Sequence, residues 1–417
     1  MRQASQLAKE IAREIIQKTD LCVMCGLCLP HCPTYRANQN EAESPRGRIS
    51  VIKALAEGKL GSDAALDMHL HNCTGCLSCE AACPAKVPYS TIIDQGRSLQ
   101  YSSQPLHRRA LRTLLLFFFT HRYAQTISRN AITLARWFPE RLSRLTKTYR
   151  FTRIAAAVEE NKSLLTAAAP AATPNASITK VTLFSGCTGQ TIDHVSLRSA
   201  EHLLTGLGFH VNKLPLFTCC GALQQHTGQE HTAKKQMLTS ANVIANESSD
   251  YLLSIATGCG VQIDQYAAVL NTSNAKEASS RHYHILDFLE RHGRLQERVF
   301  SPLPKRVLIH VPCSMMQSKQ DARLLRSLFS HVPELECVEF EDPQYCCGAG
   351  GLNLVTQVES AQRLLAPKLE QIMHMQPDII VSPNIGCALH LRAALKECGT
   401  DIEVSHPVTL LLRQLSQ

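Results

Sequence analysis

Two runs of cysteines near the amino terminus of the chain repeat one spacing. In each run a cysteine is followed by two more at steps of three residues, then by a fourth after four residues and directly by a proline. The eight cysteines are Cys22, Cys25, Cys28, Cys32, Cys73, Cys76, Cys79 and Cys83. Thiolates at this spacing can wrap one side of a cubane, so the pattern predicts two [4Fe–4S] clusters and one-electron chemistry.

The ligand sets follow from the way the fourth cysteine behaves in two-cluster ferredoxins, where it binds the other cluster. The expected sets are Cys22, Cys25, Cys28 and Cys83 for the first cluster, and Cys73, Cys76, Cys79 and Cys32 for the second. Zinc sites and disulfide frameworks also use pairs of cysteines two residues apart. Neither gains from a third cysteine in phase, a fourth and a proline, all repeated, so the cluster interpretation is preferred.

A second constellation of cysteines occupies the carboxy-terminal half and occurs twice. The second copy repeats the first after 126 to 128 residues, which indicates a duplicated domain. The candidate thiolate or metal ligands are Cys187, Cys219, Cys220 and Cys259 in the first copy, and Cys313, Cys346, Cys347 and Cys387 in the second. Each adjacent pair precedes a glycine and is expected to open a long helix, whose dipole favours thiolates.

The alternative is that these eight cysteines are small core residues. Their recurrence at matched offsets favours a functional site. The two cysteines outside every pattern, Cys337 and Cys398, are expected to pack in the core.

The elements that must position these cysteines differ between the two halves. Apolar, β-rich runs at 181–184, 251–256, 307–310 and 379–382 precede cysteines and alternate with helical patterns. They predict α/β domains with cysteines at the carboxyl ends of strands. The fold class expected is multidomain, with an α-helical ferredoxin-like domain followed by two duplicated α/β cysteine-rich domains. The predicted segments are a two-cluster domain at 1–100, a basic helical region at 101–165, a linker at 166–179, and cysteine-rich domains at 180–300 and 305–417.

The composition is that of an ordinary globular protein, with 44% hydrophobic and 19% charged residues in 417. Met1 to Asp20 reads as an amphipathic helix without the apolar core of a secretory signal, which favours the cytoplasm. Residues 101–155 carry eleven Lys and Arg against one acid, a local net charge of +10. Such a segment suits peripheral contact with an anionic inner-membrane surface, docking of an acidic partner subunit, or solvated charge.

Several phrases of the sequence resemble a known family. They are SPRGRI at 44–49, CPAKVPYSTIIDQGR at 83–97, CCGALQQHTG at 219–228, CCGAGG at 346–351 and SPNIGC at 382–387. The Cys-Cys-Gly phrases resemble the CCG domains of heterodisulfide reductases. The whole arrangement is similar to the iron–sulfur subunits of glycolate oxidases (glycolate dehydrogenases). The chain departs from heterodisulfide reductases at Gln262 and His390, which stand where those proteins have a further cysteine. The resemblance therefore does not imply five-thiolate clusters in this chain.

The resemblance implies an electron-transfer subunit of an oxidoreductase complex. Partner subunits with FAD would oxidise glycolate to glyoxylate, and this chain would pass electrons towards a quinone or another membrane acceptor. No catalytic residue is expected on this chain, which lacks a dinucleotide fingerprint. Related subunits serve D-lactate and anaerobic glycerol-3-phosphate dehydrogenases, and a thiol-disulfide oxidoreductase of the heterodisulfide reductase type is a further alternative. No nucleic-acid partner is expected.

Overall fold

The computed structural model describes residues 2–120, 153, 157–158, 179–189, 191–215, 218–342 and 346–416. Most of the predicted basic region after Thr120, and the predicted linker up to residue 178, lie outside the described residues. The chain forms two compact units. The first comprises Met1–Leu116, Leu223–Ala233 and Gln344–Ala366, and the second comprises Phe117–Ala222, Lys234–Pro343 and Pro367–Gln417. The predicted segment boundaries stay a prediction.

The amino-terminal part of the first unit is helical, as predicted. Its helices are α1 (Arg2–Thr19), α2 (Pro33–Asn38), α3 (Pro45–Ala56), α4 (Ala64–Asn72), α5 (Ser78–Ala81), α6 (Tyr89–Ser103) and α7 (Leu106–Thr120), with a 3-10 turn at Glu41–Glu43. Helix α3 starts where the Ser44 hydroxyl accepts from the Gly47 amide at 2.9 Å, and a proline occupies its first position. The apolar faces of α1, α3, α4 and α6 form one core around Ile15, Ile52 and Leu70.

Two parallel four-stranded sheets lie in the second unit. Their strands are β1 (Lys180–Phe184), β2 (His210–Lys213), β3 (Tyr251–Ser254), β4 (His282–His284), β5 (Arg306–Ile309), β6 (Glu336–Glu339), β7 (Ile379–Val381) and β8 (Glu403–Ser405). The strand order is β2-β1-β3-β4 in one sheet and β6-β5-β7-β8 in the other, so both have the same topology. The four predicted β-rich runs coincide with β1, β3, β5 and β7, the central strands, which are buried on both faces.

Further helices lie between residues 186 and 414. In chain order they are α8 (Gly186–Gly189), α9 (His194–Gly206), α10 (Ala222–His226), α11 (Glu230–Ala245), α12 (Thr257–Asp264), α13 (Tyr266–Leu270), α14 (Ser273–Arg281), α15 (Ile285–His292), α16 (Cys313–Gln317), α17 (Ala322–Phe329), α18 (Asn353–Thr356), α19 (Val358–Met375), α20 (Ile385–Glu397) and α21 (Pro407–Gln414), with a 3-10 turn at Leu295–Glu297.

The two α/β sheets of the second unit share one hydrophobic core. Helix α9 of the first copy packs against α21 of the second, and α15 of the first packs against α17 of the second. Val181 and Leu253 from one sheet and Val307 and Ile379 from the other belong to the same buried cluster. The two copies therefore stabilise each other, because each one buries apolar surface that the other would otherwise expose.

Candidate metal centres

The two amino-terminal cysteine loops have the same backbone shape. The residues on both sides of the second cysteine adopt the left-handed conformation in each loop. Their φ angles are 57° at Met24 and 84° at Gly26 in the first loop, and 65° at Gly75 and 59° at Leu77 in the second. Only glycine adopts this region without cost, so a methionine and a leucine there indicate a strained turn that the surrounding structure maintains. The repeated spacing therefore corresponds to a repeated loop.

The first ligand set surrounds a cavity. Residues lining it include Cys22, Cys25, Cys28 and Cys83, so the structure brings the fourth cysteine of the second run to the first three of the first run. Cys79 of the second set also lines this cavity. Cys25 is exposed and the other three members of the set are half-buried. Four thiols around one cavity provide the donor set that a [4Fe–4S] cluster requires.

The second ligand set is more deeply placed. Cys32, Cys73 and Cys79 are buried and Cys76 is half-buried. Burial raises the pKa of the Cys79 thiol, and the charges of Cys76, Cys73 and Cys32 raise it further. Burial also raises the pKa of Cys76 to about 12. These thiols are close enough to repel one another as thiolates, which is the environment in which a bound cation stabilises the deprotonated form.

Cys73 is the exception within this set. Burial raises its pKa, but the nearby positive charges of Arg48 and Arg97, together with hydrogen bonds, outweigh burial, so the pKa is lowered from its ordinary value. The backbone amide of Gly75 and the hydroxyl of Tyr89 act in the same direction. Tyr89 Oη donates to Cys73 Sγ across 3.6 Å. This corner of the second set therefore favours a thiolate.

The two arginines reach this corner in different ways. Arg48 is 1% exposed and pairs with the buried Glu43 carboxylate at 2.6 Å. Arg97 donates from Nη2 to the backbone oxygens of Cys73 at 2.6 Å and Leu70 at 2.9 Å. Arg48 lies in the SPRGRI phrase at 44–49. Neither Tyr89 nor Arg97 was assigned a role from the sequence. Their signal was present in the phrase at 83–97, which contains both.

Four thiols in the first cysteine-rich domain form a hydrogen-bonded chain. Cys187 and Cys220 share hydrogen bonds with Cys219, and Cys220 Sγ lies 3.4 Å from Cys259 Sγ. The two bonds to Cys219 lower the pKa of its thiol well below the ordinary value and outweigh burial. The pKa values of Cys187 and Cys220 are raised well above theirs by hydrogen bonds with Cys219 and by burial, and for Cys220 also by the hydrogen bond with Cys259. The structure thus brings together all four cysteines predicted for this copy.

The predicted position of the Cys-Cys-Gly phrases at the start of a long helix is wrong. The first pair precedes α10, a helix of five residues, and the long helix α11 begins only at Glu230. In the second copy the short helix α18 also precedes the long α19. The low pKa of Cys219 therefore comes from hydrogen bonds by neighbouring thiols rather than from the dipole of a long helix.

Cysteines of the second copy belong to different units. Cys313 is the first residue of α16 and Cys387 lies in the first turn of α20, both in the second unit. There a ring nitrogen of buried His310 lies within 4.8 Å of Cys387 Sγ, and His310 Nδ1 bonds Ser382 Oγ at 2.9 Å. Burial lowers the pKa of His310 well below its ordinary value, which leaves a neutral imidazole suited to metal binding.

Cys346 and Cys347 belong to the first unit, together with the amino-terminal cysteine loops. Cys346 Sγ lies 3.7 Å from Oγ1 of Thr74, the residue that follows Cys73. A Cβ at Gly348 would lie 2.2 Å from the Ala361 carbonyl oxygen, so only glycine permits the backbone to pass there.

The two cysteines outside the patterns are less buried than expected. Cys337 lies on β6 and is half-buried against the core of the second unit. Cys398 follows the last turn of α20 and is exposed, so the expectation that it packs in the core is wrong. Gln262 is buried, with its amide nitrogen 3.8 Å from Met237 Sδ.

Comparison with known protein families also separates the amino-terminal cysteine loops from the two cysteine-rich copies. The profile described as "4Fe-4S dicluster domain" matches residues 18–87, and the profile described as "Cysteine-rich domain" matches residues 181–264 and 307–392. The chain is thus an iron–sulfur protein that combines a 4Fe–4S dicluster domain with two cysteine-rich domains.

Two relatives that align along most of the chain indicate a more specific class of protein. The chain is 27% identical to the probable glycolate oxidase iron-sulfur subunit of Bacillus subtilis (strain 168), with 97% of each chain aligned. It is also 27% identical to the glycolate oxidase iron-sulfur subunit of Escherichia coli (strain K12), over 89% of each chain. Lactate utilization protein A of Geobacillus sp. (strain WCH70) is 24% identical over 56% of this chain and 98% of its own length. Along almost its whole length, the chain is therefore similar to glycolate oxidase iron–sulfur subunits.

Proposed function

We propose that this chain is the iron–sulfur electron-transfer subunit of a flavin-dependent complex that oxidises glycolate to glyoxylate. FAD-binding partner subunits perform the two-electron oxidation, and this chain carries the electrons singly towards a quinone or another membrane acceptor. The observation that carries the proposal is the pair of matched cysteine loops in a chain that resembles glycolate oxidase iron–sulfur subunits over almost its whole length.

The proposed ligands are the two crossed sets. Cys22, Cys25, Cys28 and Cys83 hold the first cluster, and Cys73, Cys76, Cys79 and Cys32 hold the second. Each [4Fe–4S] cluster supplies a one-electron carrier when bound. The cysteine-rich domains supply further thiolate sites, at Cys187, Cys219, Cys220 and Cys259 and at Cys313, Cys346, Cys347 and Cys387.

Electrons are proposed to enter at the first set, because its loop is open to a partner. Cys25 is exposed, and large apolar side chains beside it are exposed as well, at 72% for Val23 and 55% for Leu27. An apolar surface of this kind around a redox centre suits contact with another protein.

Val23→Glu should slow reduction of the chain by glycolate through the partner subunits, while reduction by dithionite stays unchanged. Equal rates with glycolate in Val23→Glu and in the wild type would contradict entry at this loop.

The second set is proposed to receive these electrons and pass them on. Its support is the position of Cys346, whose sulfur lies 3.7 Å from Thr74 Oγ1 within the loop that carries Cys73 and Cys76. The second Cys-Cys-Gly loop thus packs on the ligand loop of the second set.

The acceptor is proposed to lie at a membrane surface that the complex contacts peripherally. No helix among the described residues is long and apolar enough to cross a membrane. The basic segment at 101–155 is the proposed contact, and most of it lies outside the described residues.

The test is reconstitution of the chain with its FAD-binding partners, followed by quinone-linked assays on glycolate, D-lactate and glycerol-3-phosphate. Glycolate should be the best substrate, and omission of this chain should abolish quinone reduction but not flavin reduction. Preference for D-lactate or glycerol-3-phosphate would assign the chain to the corresponding dehydrogenase instead.

A thiol-disulfide oxidoreductase is the second candidate, favoured by the hydrogen-bonded thiols around Cys219. A lowered pKa increases the thiolate fraction of Cys219, and the thiolate is the form that attacks a disulfide. Reduction of disulfides by the isolated chain with reduced methyl viologen would support this activity, and no turnover above the Cys219→Ala variant would exclude it.

A further inference from the structure

The two ligand sets differ in their access to water. Cys32, Cys73 and Cys79 of the second set are buried, whereas the first set includes exposed Cys25. Reduction adds a negative charge to a cluster, and burial disfavours that charge. Burial alone would therefore lower the reduction potential of the second cluster and hinder its role as electron acceptor.

A buried hydroxyl opposes this effect at Cys73. Tyr89 is 4% exposed, and its hydroxyl donates to Cys73 Sγ across 3.6 Å. A hydrogen bond to a ligand sulfur stabilises the reduced cluster more than the oxidised one, because the reduced cluster places more negative charge on its sulfurs. Tyr89 also lines the cavity of the first set, but its hydroxyl bonds a sulfur of the second set.

A buried positive charge also contacts Cys73, at its backbone carbonyl group. Arg97 is 3% exposed and donates to the Cys73 carbonyl oxygen at 2.6 Å. An Asp94 carboxylate oxygen lies 3.9 Å from Arg97 Nη1, which compensates the charge only in part. The Arg48 charge, by contrast, is matched by Glu43 at 2.6 Å, so this pair is close to neutral. Arg97 is thus the less compensated of the two guanidiniums, although Arg48 acts more strongly on the Cys73 thiol.

We propose that Tyr89 and Arg97 are positioning residues that raise the reduction potential of the second cluster and so offset its burial. One electron then passes from the first cluster, which is oxidised, to the second, which is reduced, and no bond forms or breaks. The inference rests on the proposed function, because it requires both clusters.

The test is a redox titration, monitored by electron paramagnetic resonance, of the full-length chain purified anaerobically with both clusters. The variant Tyr89→Phe keeps the ring and removes the hydroxyl. At a fixed applied potential, the ratio of reduced to oxidised second cluster should fall about tenfold, which corresponds to about 59 mV for one electron. The first cluster should titrate as in the wild type.

A matched control is Tyr101→Phe, on the same helix α6, where the hydroxyl pairs with Thr113 Oγ1 at 3.0 Å. It should leave both potentials unchanged. The Cys25→Ser variant, which lacks the first cluster, identifies the signal of the second.

The charge of Arg97 is tested separately. Arg97→Gln should lower the potential of the second cluster, and Arg97→Lys, which keeps the charge, should restore most of it. The inference is overturned if Tyr89→Phe and Arg97→Gln retain the second cluster at its wild-type potential. It is equally overturned if both variants lose that cluster, because the residues would then only hold the fold. Unchanged potentials with full iron content leave the proposed function intact, whereas a wild-type chain without clusters would defeat that function itself.

Discussion

At the scale of single residues, the thiols of this chain differ in how strongly their surroundings favour the thiolate. Cys73 and Cys219 have lowered pKa values despite burial, the first through nearby arginines and the second through two neighbouring thiols. Burial instead raises the pKa of Cys76 to about 12. A metal must displace the proton from every ligand, so the energetic cost of loading a site differs from one cysteine to the next.

Replacement of Cys25 should remove one cluster and leave the other. Cys25→Ser takes away an exposed ligand of the first set only, so the iron bound by the two clusters should fall from about eight atoms to about four. Flavin reduction in the proposed FAD-binding partner subunits should persist, because that step would not use this chain. Iron and acid-labile sulfide analysis of anaerobically purified protein is the measurement.

The matched control for this change is Cys398→Ala, since Cys398 is an exposed cysteine outside every motif. It should retain the wild-type iron content. A Cys25→Ser variant with eight iron atoms, or a wild type with tightly bound zinc and no sulfide, would refute the ligand assignment.

Replacement of Cys220 should weaken the first cysteine-rich site. Cys220 links Cys219 to Cys259 through hydrogen bonds, so Cys220→Ala removes one donor to Cys219 and raises the pKa of the Cys219 thiol. The rate of alkylation of Cys219, followed by mass spectrometry as a function of pH in metal-free protein, should rise at a higher pH than in the wild type. Cys337→Ala, on β6, should leave that profile unchanged. An unshifted profile in Cys220→Ala would show that the thiols do not act together.

At the scale of elements, two histidines join the duplicated halves at one carbonyl group. His284 ends β4 and caps α15, and His406 follows β8 and caps α21. Their Nε2 atoms donate to the Ile255 carbonyl oxygen, at 3.0 Å from His284 and 3.4 Å from His406. Their Nδ1 atoms accept from the helix amides of Leu286 and Val408. Both ring nitrogens of each histidine form hydrogen bonds. Protonation would therefore remove the hydrogen bond that Nδ1 accepts from the helix amide, and it would also bury a positive charge.

This arrangement predicts that acid destabilises the second unit. Burial lowers the pKa of His284 and of His406 to about 3, against an ordinary value of 6.5. Below about pH 6.5 these histidines are protonated in the unfolded chain but stay neutral in the folded chain. The free energy of unfolding should therefore fall as the pH drops from 6.5 to 3. Each pKa unit corresponds to about 1.4 kcal/mol, so the loss per histidine is on the order of a few kcal/mol. Thermal unfolding between pH 7 and pH 4 measures it.

The variants His284→Asn and His406→Asn should flatten this dependence, because asparagine caps a helix without titrating. His374→Gln, at an exposed position in the last turn of α19, is the control and should keep the wild-type slope. Equal slopes in all variants would mean that other groups cause the acid sensitivity.

At the scale of the whole molecule, the basic segment at 101–155 is the largest concentration of charge. Its net charge of +10 exceeds the +8 of the complete chain. Attraction to an anionic leaflet is worth roughly 1 kcal/mol per basic residue near the surface, so half of these residues would suffice for peripheral binding. Docking of an acidic partner subunit would use the same charges.

Flotation of the purified complex with liposomes separates these two roles. The complex should float with anionic liposomes at low salt, and recovery should fall at 1 M salt, where the Debye length is about 3 Å. Neutral liposomes serve as the control and should not bind. Equal recovery in every condition would exclude electrostatic lipid binding and leave docking of a partner subunit.

The sequence by itself determined the chemistry of the cysteine loops and the duplication. Cysteines three residues apart lie on one loop, whose shape depends on local backbone geometry, so spacing alone predicts a cluster site. The strands of the two α/β domains were equally predictable, because buried parallel strands are short apolar runs. Both features depend on residues that are close along the chain.

Only the tertiary structure decided which groups surround those cysteines. Arg97 and Tyr89 reach Cys73 from helix α6, and His406 meets Ile255 across 151 residues of sequence. The place of the Cys-Cys-Gly loops ahead of short helices, and the exposure of Cys398, were likewise decided there. Such contacts join residues far apart in sequence, and their positions are fixed by how the helices and sheets bury their apolar faces together, which no local pattern of residues records.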